Sequence, residues 1–257
     1  MNEVLGVVQR GHEGAWVHLE VVAEGVQITG ARSLHVDTLD AVVKDGVEST
    51  SCHDVATVLW SPDAAVGAIA PDRAKDLSRR KLFNAALAIG EQNGYDPKHD
   101  DVRVTRHHEE AVFAFGKAKA ISLTRSQVKG AKGRLRSLQI ASAALSNVLP
   151  EPYEVAVLTQ GATFYVLLIS SGPTRLVECA TTEDVSAALL EAARSGYVTG
   201  HLTPIATMDE TADARLCAPD RGRFFESRGV ERYNVPQGIV GIGTVALGAG
   251  YGALANA

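Results

Sequence analysis

VLGVVQRGHEGAWVHLEVV at residues 4–22 and VAVLTQGATFYVLLI at residues 155–169 are the two stretches that decide the fold. Each is a pair of apolar runs broken by a short turn. The first turn reads Gln9-Arg10-Gly11-His12-Glu13-Gly14 and the second Thr159-Gln160-Gly161-Ala162-Thr163. This is the spacing of a β-hairpin. Both turns have the glycine expected of a loop that holds phosphate, yet neither carries an acidic residue where metal-assisted phosphate chemistry requires it; Glu13 is near the first turn but falls beyond the expected place.

Outward from the first hairpin, Val26 to Leu34 reads as a third strand, and Val55 to Trp60 and Val66 to Ile69 as two short ones. The spacing of Leu77, Leu82, Phe83, Ala86, Leu87 and Ile89 predicts a helix capped by Asp76 and ended at Asn93-Gly94. Arg79, Arg80 and Lys81 stand at its start, the end that the helix dipole makes less favourable for cations. Val102 to Thr105, Val112 to Phe115 and Ala118 to Leu123 read as strands, and Ser126 to Leu149 as a helix stopped by Pro150 and Pro152. Tyr153 to Leu158, Thr163 to Ile169 and Arg175 to Cys179 then repeat the opening meander. A helix follows at Glu183 to Ser195, capped by Thr181 or Thr182. Val198 to Ala206 is a strand candidate, followed by the polar stretch Met208 to Asp213 and the basic loop Arg221 to Arg232. The pattern divides the chain into two related halves, residues 1–150 and a shorter 151–257.

Two three-stranded meanders, each leading to a helix, resemble the duplicated ribonuclease-H-like core of the actin, sugar-kinase and heat-shock ATPase group. The middle of the chain, with its helix, hairpin and final ASAALSNVLP at residues 141–150, narrows the likeness to the PilM/GspL branch. YEVAVLTQGATFYVLLISSGPTRLVECA at residues 153–180 is similar to the opening of that branch's second half. The fold class implied is α/β, an abbreviated actin-like ATPase core.

The resemblance also carries functional expectations. Nucleotide-binding members place a carboxylate and a glycine after the first strand of each half. The corresponding residues here are Gln9-Arg10-Gly11 and Thr159-Gln160-Gly161, without the carboxylate. Gly11, Gly161 and Thr163 would then be vestigial phosphate turns, leaving room for weak ATP binding but not for hydrolysis, and no cofactor is expected. The implied role is a non-catalytic cytoplasmic scaffold, peripheral to a bacterial inner membrane, in a type IV pilus or type II secretion assembly platform. Its expected partner is a segment of a membrane-anchored platform protein, received in an apolar cleft for which Ala65 to Leu82 is offered as lining; a homodimer is a second expected association. The alternative is an ATP-binding protein or phosphotransferase of the same superfamily, in which Asp37, Asp40, Asp54 or Asp63 replaces the missing carboxylates.

The 257 residues suffice for a sizeable core, and a formal charge of -5 gives no reason to expect nucleic acid. Cys52, Cys179 and Cys217 are far apart and odd in number, which fits a reducing compartment and no disulfide framework. No metal site is expected. In His107-His108-Glu109-Glu110 neighbouring side chains point to opposite faces of a strand, and Cys52-His53-Asp54 lacks the geometry of a nucleophile–base pair. The basic run Lys117, Lys119, Arg125, Lys129, Lys132, Arg134 and Arg136 reads as a solvated helix face or a partner surface. Ile239 to Ala255 is uncharged and glycine-rich, with Gly248-xxx-Gly252 at the spacing of a close helix contact. It is either a buried helix or a membrane span.

Overall fold

The computed structural model describes residues 1–69, 74, 77–107, 110–149, 153–169, 174–196, 198, 204–217, 229–233, 235, 239 and 241–256, the side chains of 105–107 and 110 excepted. Asp76, His108, Glu109, Pro150, Pro152, Ser171 to Pro173 and most of Arg221 to Arg232 lie outside them.

β1 (Glu3–Arg10), β2 (Glu13–Val22) and β3 (Gly25–His35) form an antiparallel meander. β4 (Asp54–Leu59) and β8 (Arg134–Ile140) add to it in parallel, giving the order β3-β2-β1-β4-β8. The second half repeats this with β9 (Val155–Gln160), β10 (Thr163–Leu168), β11 (Arg175–Cys179), β12 (Ile205–Thr207) and β13 (Val230–Arg232), in the order β11-β10-β9-β12-β13. Strand directions match position by position. The predicted echo is therefore a duplicated ribonuclease-H-like core.

Both decisive hairpins close with a two-residue loop, between the paired Arg10 and Glu13 in one and Gln160 and Thr163 in the other. Gly11 and Gly161 take the first loop position at φ +60° and +56°, a conformation open to glycine and costly for other residues.

The inner strands of each sheet are covered on both faces, so β1, β2, β4, β9 and β10 read as nearly unbroken apolar runs. Leu5, Val7 and Trp16 pack outward against α1 (Leu39–Thr50) and against Val128 of α3 (Ala118–Gly130). Val155, Val157, Phe164 and Val166 pack outward against α5 (Thr182–Arg194) and α6 (Glu210–Leu216). The inner faces share one core with α4 (Ala141–Ser146) and α7 (Gly243–Ala255), which lie between the sheets. Between β4 and α3 a small unit is inserted: β5 (Ala64–Ile69), β6 (Asp101–His107) and β7 (Glu110–Gly116) in the order β5-β7-β6, packed on α2 (Arg79–Gln92).

α7 resolves the reading of the uncharged tail in favour of a buried helix. Ten of its residues, Gly243 to Gly250, Gly252 and Ala253, are buried, and no described helix is long and apolar enough to cross a membrane. Gly248 lies so close to α4 that an added Cβ would stand 1.9 Å from Ala144 O. Asn147 Nδ2 donates to Gly248 O at 3.1 Å and Gln139 Nε2 to Ala249 O at 2.8 Å.

Three local expectations are corrected. Ala118 to Leu123 is not a strand but the start of α3: its polar residues Lys119 and Ser122 stand three apart, a helical interval, and the helix buries Thr124 and Val128, four apart. Ser126 to Leu149 is not one helix but the end of α3, β8 and the short α4. The parallel pairing of β8 with β4 overrides its local pattern. The polar stretch after Met208 is α6, and Leu39–Thr50, assigned no element above, is α1. Helix α5 forms as predicted, with a full capping box between Thr181 and Asp184. The cap of α2 is Ser78, whose hydroxyl accepts from Lys81 N.

Candidate functional site

The two hairpin turns meet at the junction of the halves. The Gln160 side-chain amide donates to Arg10 O, and Arg10 Nη2 donates to Glu178 Oε1 at 2.5 Å. The Arg10 guanidinium also stands 5.3 Å from the centre of the Trp60 ring, which packs against Tyr165 at 5.5 Å. Burial pushes the Tyr165 hydroxyl above its ordinary pKa, and the nearby Arg10 opposes the shift. The space between the turns is thus crossed by protein–protein bonds from one half to the other.

Beside this clasp opens a cleft of about 540 Å³, lined by Glu13, Ser33 to His35, Thr159 to Gly161, Asp209 to Thr211, Gly241 and Ile242. Its key residue is one that the sequence reading did not single out. Asp209 ends the segment after β12 and caps α6. It is 6% exposed; Oδ1 accepts from Ala212 N at 2.7 Å and from Thr159 Oγ1 at 2.7 Å, and Oδ2 accepts from Thr159 N at 2.6 Å. Two donors of the second turn, the N–H and the hydroxyl of Thr159, are therefore directed at an internal carboxylate. The detectable signal was Asp209 immediately before a helical run, at an N-cap position.

The charge of the cleft follows from the same residues. Glu13, Asp209 and Glu210 line it, and among the described lining residues there is no lysine or arginine. Such a surface repels a polyphosphate unless divalent cations intervene. Glu210 is held from outside by Arg232, whose Nη2 is 3.0 Å from Oε1. Asp209 uses three of its roughly four lone-pair directions within the fold.

Of the expected site residues, Gly161 lines this cleft. Gly11 lies across the clasp, lining a smaller pocket of about 240 Å³ with Gln9, Trp60, Asp63 and Thr124. Thr163 begins β10 and lines neither. The substitute carboxylates of the alternative reading are dispersed. Asp37 pairs with His12 at 2.5 Å, Asp40 sits in the first turn of α1, Asp54 holds Arg134 and Arg136, and Asp63 pairs with Lys117 at 3.7 Å. None of the four lines the cleft. These pairs also absorb three members of the basic run. Cys52 is buried, its thiol pushed up to about 11 by desolvation. His53 Nδ1 is engaged with Lys132 O at 2.9 Å, so the two form no nucleophile–base pair.

A second concavity, of about 300 Å³, lies between the inserted unit and the first sheet. Leu59, Phe115, Ile121, Leu138 and Ile140 make it apolar, and Asp101, Arg103, Arg125 and Gln139 make its margins polar. Two edge strands flank it, β8 of the first sheet and β6 of the small one. Of the expected lining, Ala65 to Leu82, residues 70–73, 75 and 76 lie outside the described residues; Ala65 and Val66 face another pocket with Trp60 and Leu176, and Leu82 is buried in the core of the small unit.

No family model matches the sequence, and no curated protein matches it. Solved structures do. The cytoplasmic domain of EpsL, an inner-membrane component of the type II secretion system of Vibrio cholerae, is similar at TM-score 0.64 and 12% identity, over 99% of this chain and 95% of that one. A chain of the PilM–PilN type IV pilus biogenesis complex is similar at TM-score 0.70 and 14% identity, over 98% of both. A Bacteroides thetaiotaomicron protein of actin-like ATPase fold and unknown function follows at TM-score 0.55 and 11% identity, over 96% and 95%. With its doubled sheet order and these likenesses across nearly the whole chain, the protein has the actin-like ATPase fold.

Proposed function

We propose that this chain is a non-catalytic scaffold of an inner-membrane type IV pilus or type II secretion platform, and that it holds an extended segment of a membrane-anchored partner. On this reading residues 1–150 and 151–257 are the two actin-like halves, and Gly11, Gly161 and Thr163 are what remains of phosphate turns. The observation that carries the non-catalytic part is Asp209, which takes the Thr159 donors that a nucleotide phosphate would need. The partner part is supported by the nearly complete overlap with the EpsL domain and the PilM–PilN chain. The groove at Leu59, Ile121 and Leu138 supports it as well. Its apolar floor and two strands that end their sheets among the described residues suit an extended peptide, which gains main-chain hydrogen bonds from the edge and side-chain burial from the floor.

Calorimetric titration with Mg-ATP tests the first part. The expected result is no saturable heat and no phosphate release, and saturable binding with turnover would establish the superfamily's phosphotransfer chemistry instead. Capture from detergent-solubilised inner membranes tests the second. The wild-type chain is expected to retain a bitopic membrane protein that Ile121→Glu loses; equal retention by both would remove the groove from the reading.

A further inference from the structure

Away from the cleft, three side chains of metal-binding type converge from separate parts of the first half. Glu3 opens β1, His18 lies on β2, and Cys52 follows α1. Their ligand atoms all lie within 4.8 Å of one another, the only such group among the described residues. The pairing of β1 with β2 explains the convergence. Leu5 lies opposite His18 and Glu3 opposite Glu20, so Glu3 and His18 share the α1 face, one diagonal step apart. The chain leaving α1 then places Cys52 under the same end of the sheet.

The group has the marks of a built site. His18 is 4% exposed and Cys52 is 0% exposed. Thr29 Oγ1 is 2.7 Å from His18 Nδ1 and fixes the ring, while Nε2 faces Glu3 Oε2 at 3.3 Å. Holding one imidazole nitrogen by hydrogen bond while the other faces ligands is how metal-binding histidines are oriented. Glu20, 3.8 Å from Nδ1, lies on the Thr29 side of the ring. A His18–Glu3 pair alone would need no thiol beside it.

We propose that Glu3, His18 and Cys52 form a binding site for a divalent ion of the zinc class. Nitrogen, sulfur and carboxylate donors are the set that zinc prefers. Bonds of about 2.0–2.3 Å to one ion require the donor atoms to draw together by ~1 Å. Glu3, with its side chain 49% exposed, has room for that movement. Three protein donors leave a fourth position of a tetrahedral ion for water.

The test uses the full chain stripped with a chelator. Titration with Co2+ is expected to give the visible bands of a four-coordinate site and a thiolate-to-cobalt charge-transfer band, one ion per chain. Zn2+ should bleach both. The charge-transfer band should vanish in Cys52→Ser and persist in Cys217→Ser, whose parent thiol is exposed. Thr29→Val, which removes the support of the ring, should weaken Zn2+ binding ~10- to 100-fold while leaving the band in place at saturation. Absence of the band at saturating Co2+, or its loss with Cys217 rather than Cys52, would overturn the proposal. Should Cys52→Ser fail to fold, Glu3→Gln decides: this exposed residue's loss must weaken Zn2+ binding, and unchanged affinity overturns the site.

Discussion

Gly248→Ala places one methyl group between α7 and α4, and the structure indicates its cost. The new Cβ would stand 1.9 Å from Ala144 O and 2.6 Å from Ala144 C, where ordinary contact begins at 3.4 Å. The helices must therefore part by about 1.5 Å at this point, the difference of the two distances. α7 has no room to retreat. On its other side Gly6 of β1 is so close that a Cβ there would stand 2.0 Å from Ala246 O. Overpacking against backbone on both sides belongs at the upper end of its usual range, ~3 kcal/mol. Alanine's better helix propensity returns about 1 kcal/mol, leaving ~2 kcal/mol of destabilisation. For a protein of this size that lowers the melting temperature by roughly 4–8 °C. Scanning calorimetry on wild type and variant measures it. Gly130→Ala in α3 is the control: nothing lies within 4 Å of its added Cβ, so it should be neutral or slightly stabilising. A Gly248→Ala melting point equal to or above that of wild type would refute the close-packed α4–α7 contact.

Asp209→Asn replaces an acceptor of three hydrogen bonds with a group that presents its own donors to Thr159. It should cost ~2–3 kcal/mol, read as a lower urea midpoint at unchanged slope. Arg10→Ala should cost only about 1 kcal/mol, because the Arg10–Glu178 pair is partly exposed, but should shift the emission of Trp60 as its cationic neighbour leaves. Thr181→Ala should cost ~1 kcal/mol through loss of the capping box, measured by the same urea titration. Burial pushes the Cys179 thiol up from 9.0 to about 11, so the folded chain holds this proton more tightly than the unfolded one. Its contribution is complete below pH 9 and should be lost as pH rises through about 11, visible as falling stability across that window. At neutral pH a disulfide reagent should modify Cys217 promptly and buried Cys179 only on unfolding.

How much was legible in the sequence depended on the range of the forces involved. The hairpins at Gly11 and Gly161 were readable because a two-residue turn needs a left-handed glycine wherever it occurs. Helix α5 was readable because Thr181 and Asp184 cap it locally. Gly248 and Gly252 announced a close helix contact through spacing alone. Leu39, Val42, Val43, Gly46 and Val47 carry the helical period of α1, a readable signal passed over for the strands around it. β8 was not readable. Its half-exposed RLRSLQI becomes a strand because β4 offers a parallel partner 80 or 81 residues earlier in sequence.

The site divides along the same line. The lack of a carboxylate at the expected position of either turn was a matter of sequence, and so was the presence of Gly11, Gly161 and Thr163. That Asp209 turns its carboxylate on Thr159, fifty residues earlier, could come only from the tertiary structure, as could the meeting of Glu3, His18 and Cys52. The chain's own order determined a doubled meander, since turn conformation and the apolar runs that flank each turn are settled between near neighbours. Which charges face which donors was decided by the packing of elements distant in sequence, within each half for Asp209 and for Glu3, and between the halves for Arg10 and Glu178. Electrostatic partners are chosen by distance in space, and distance along the chain does not encode it.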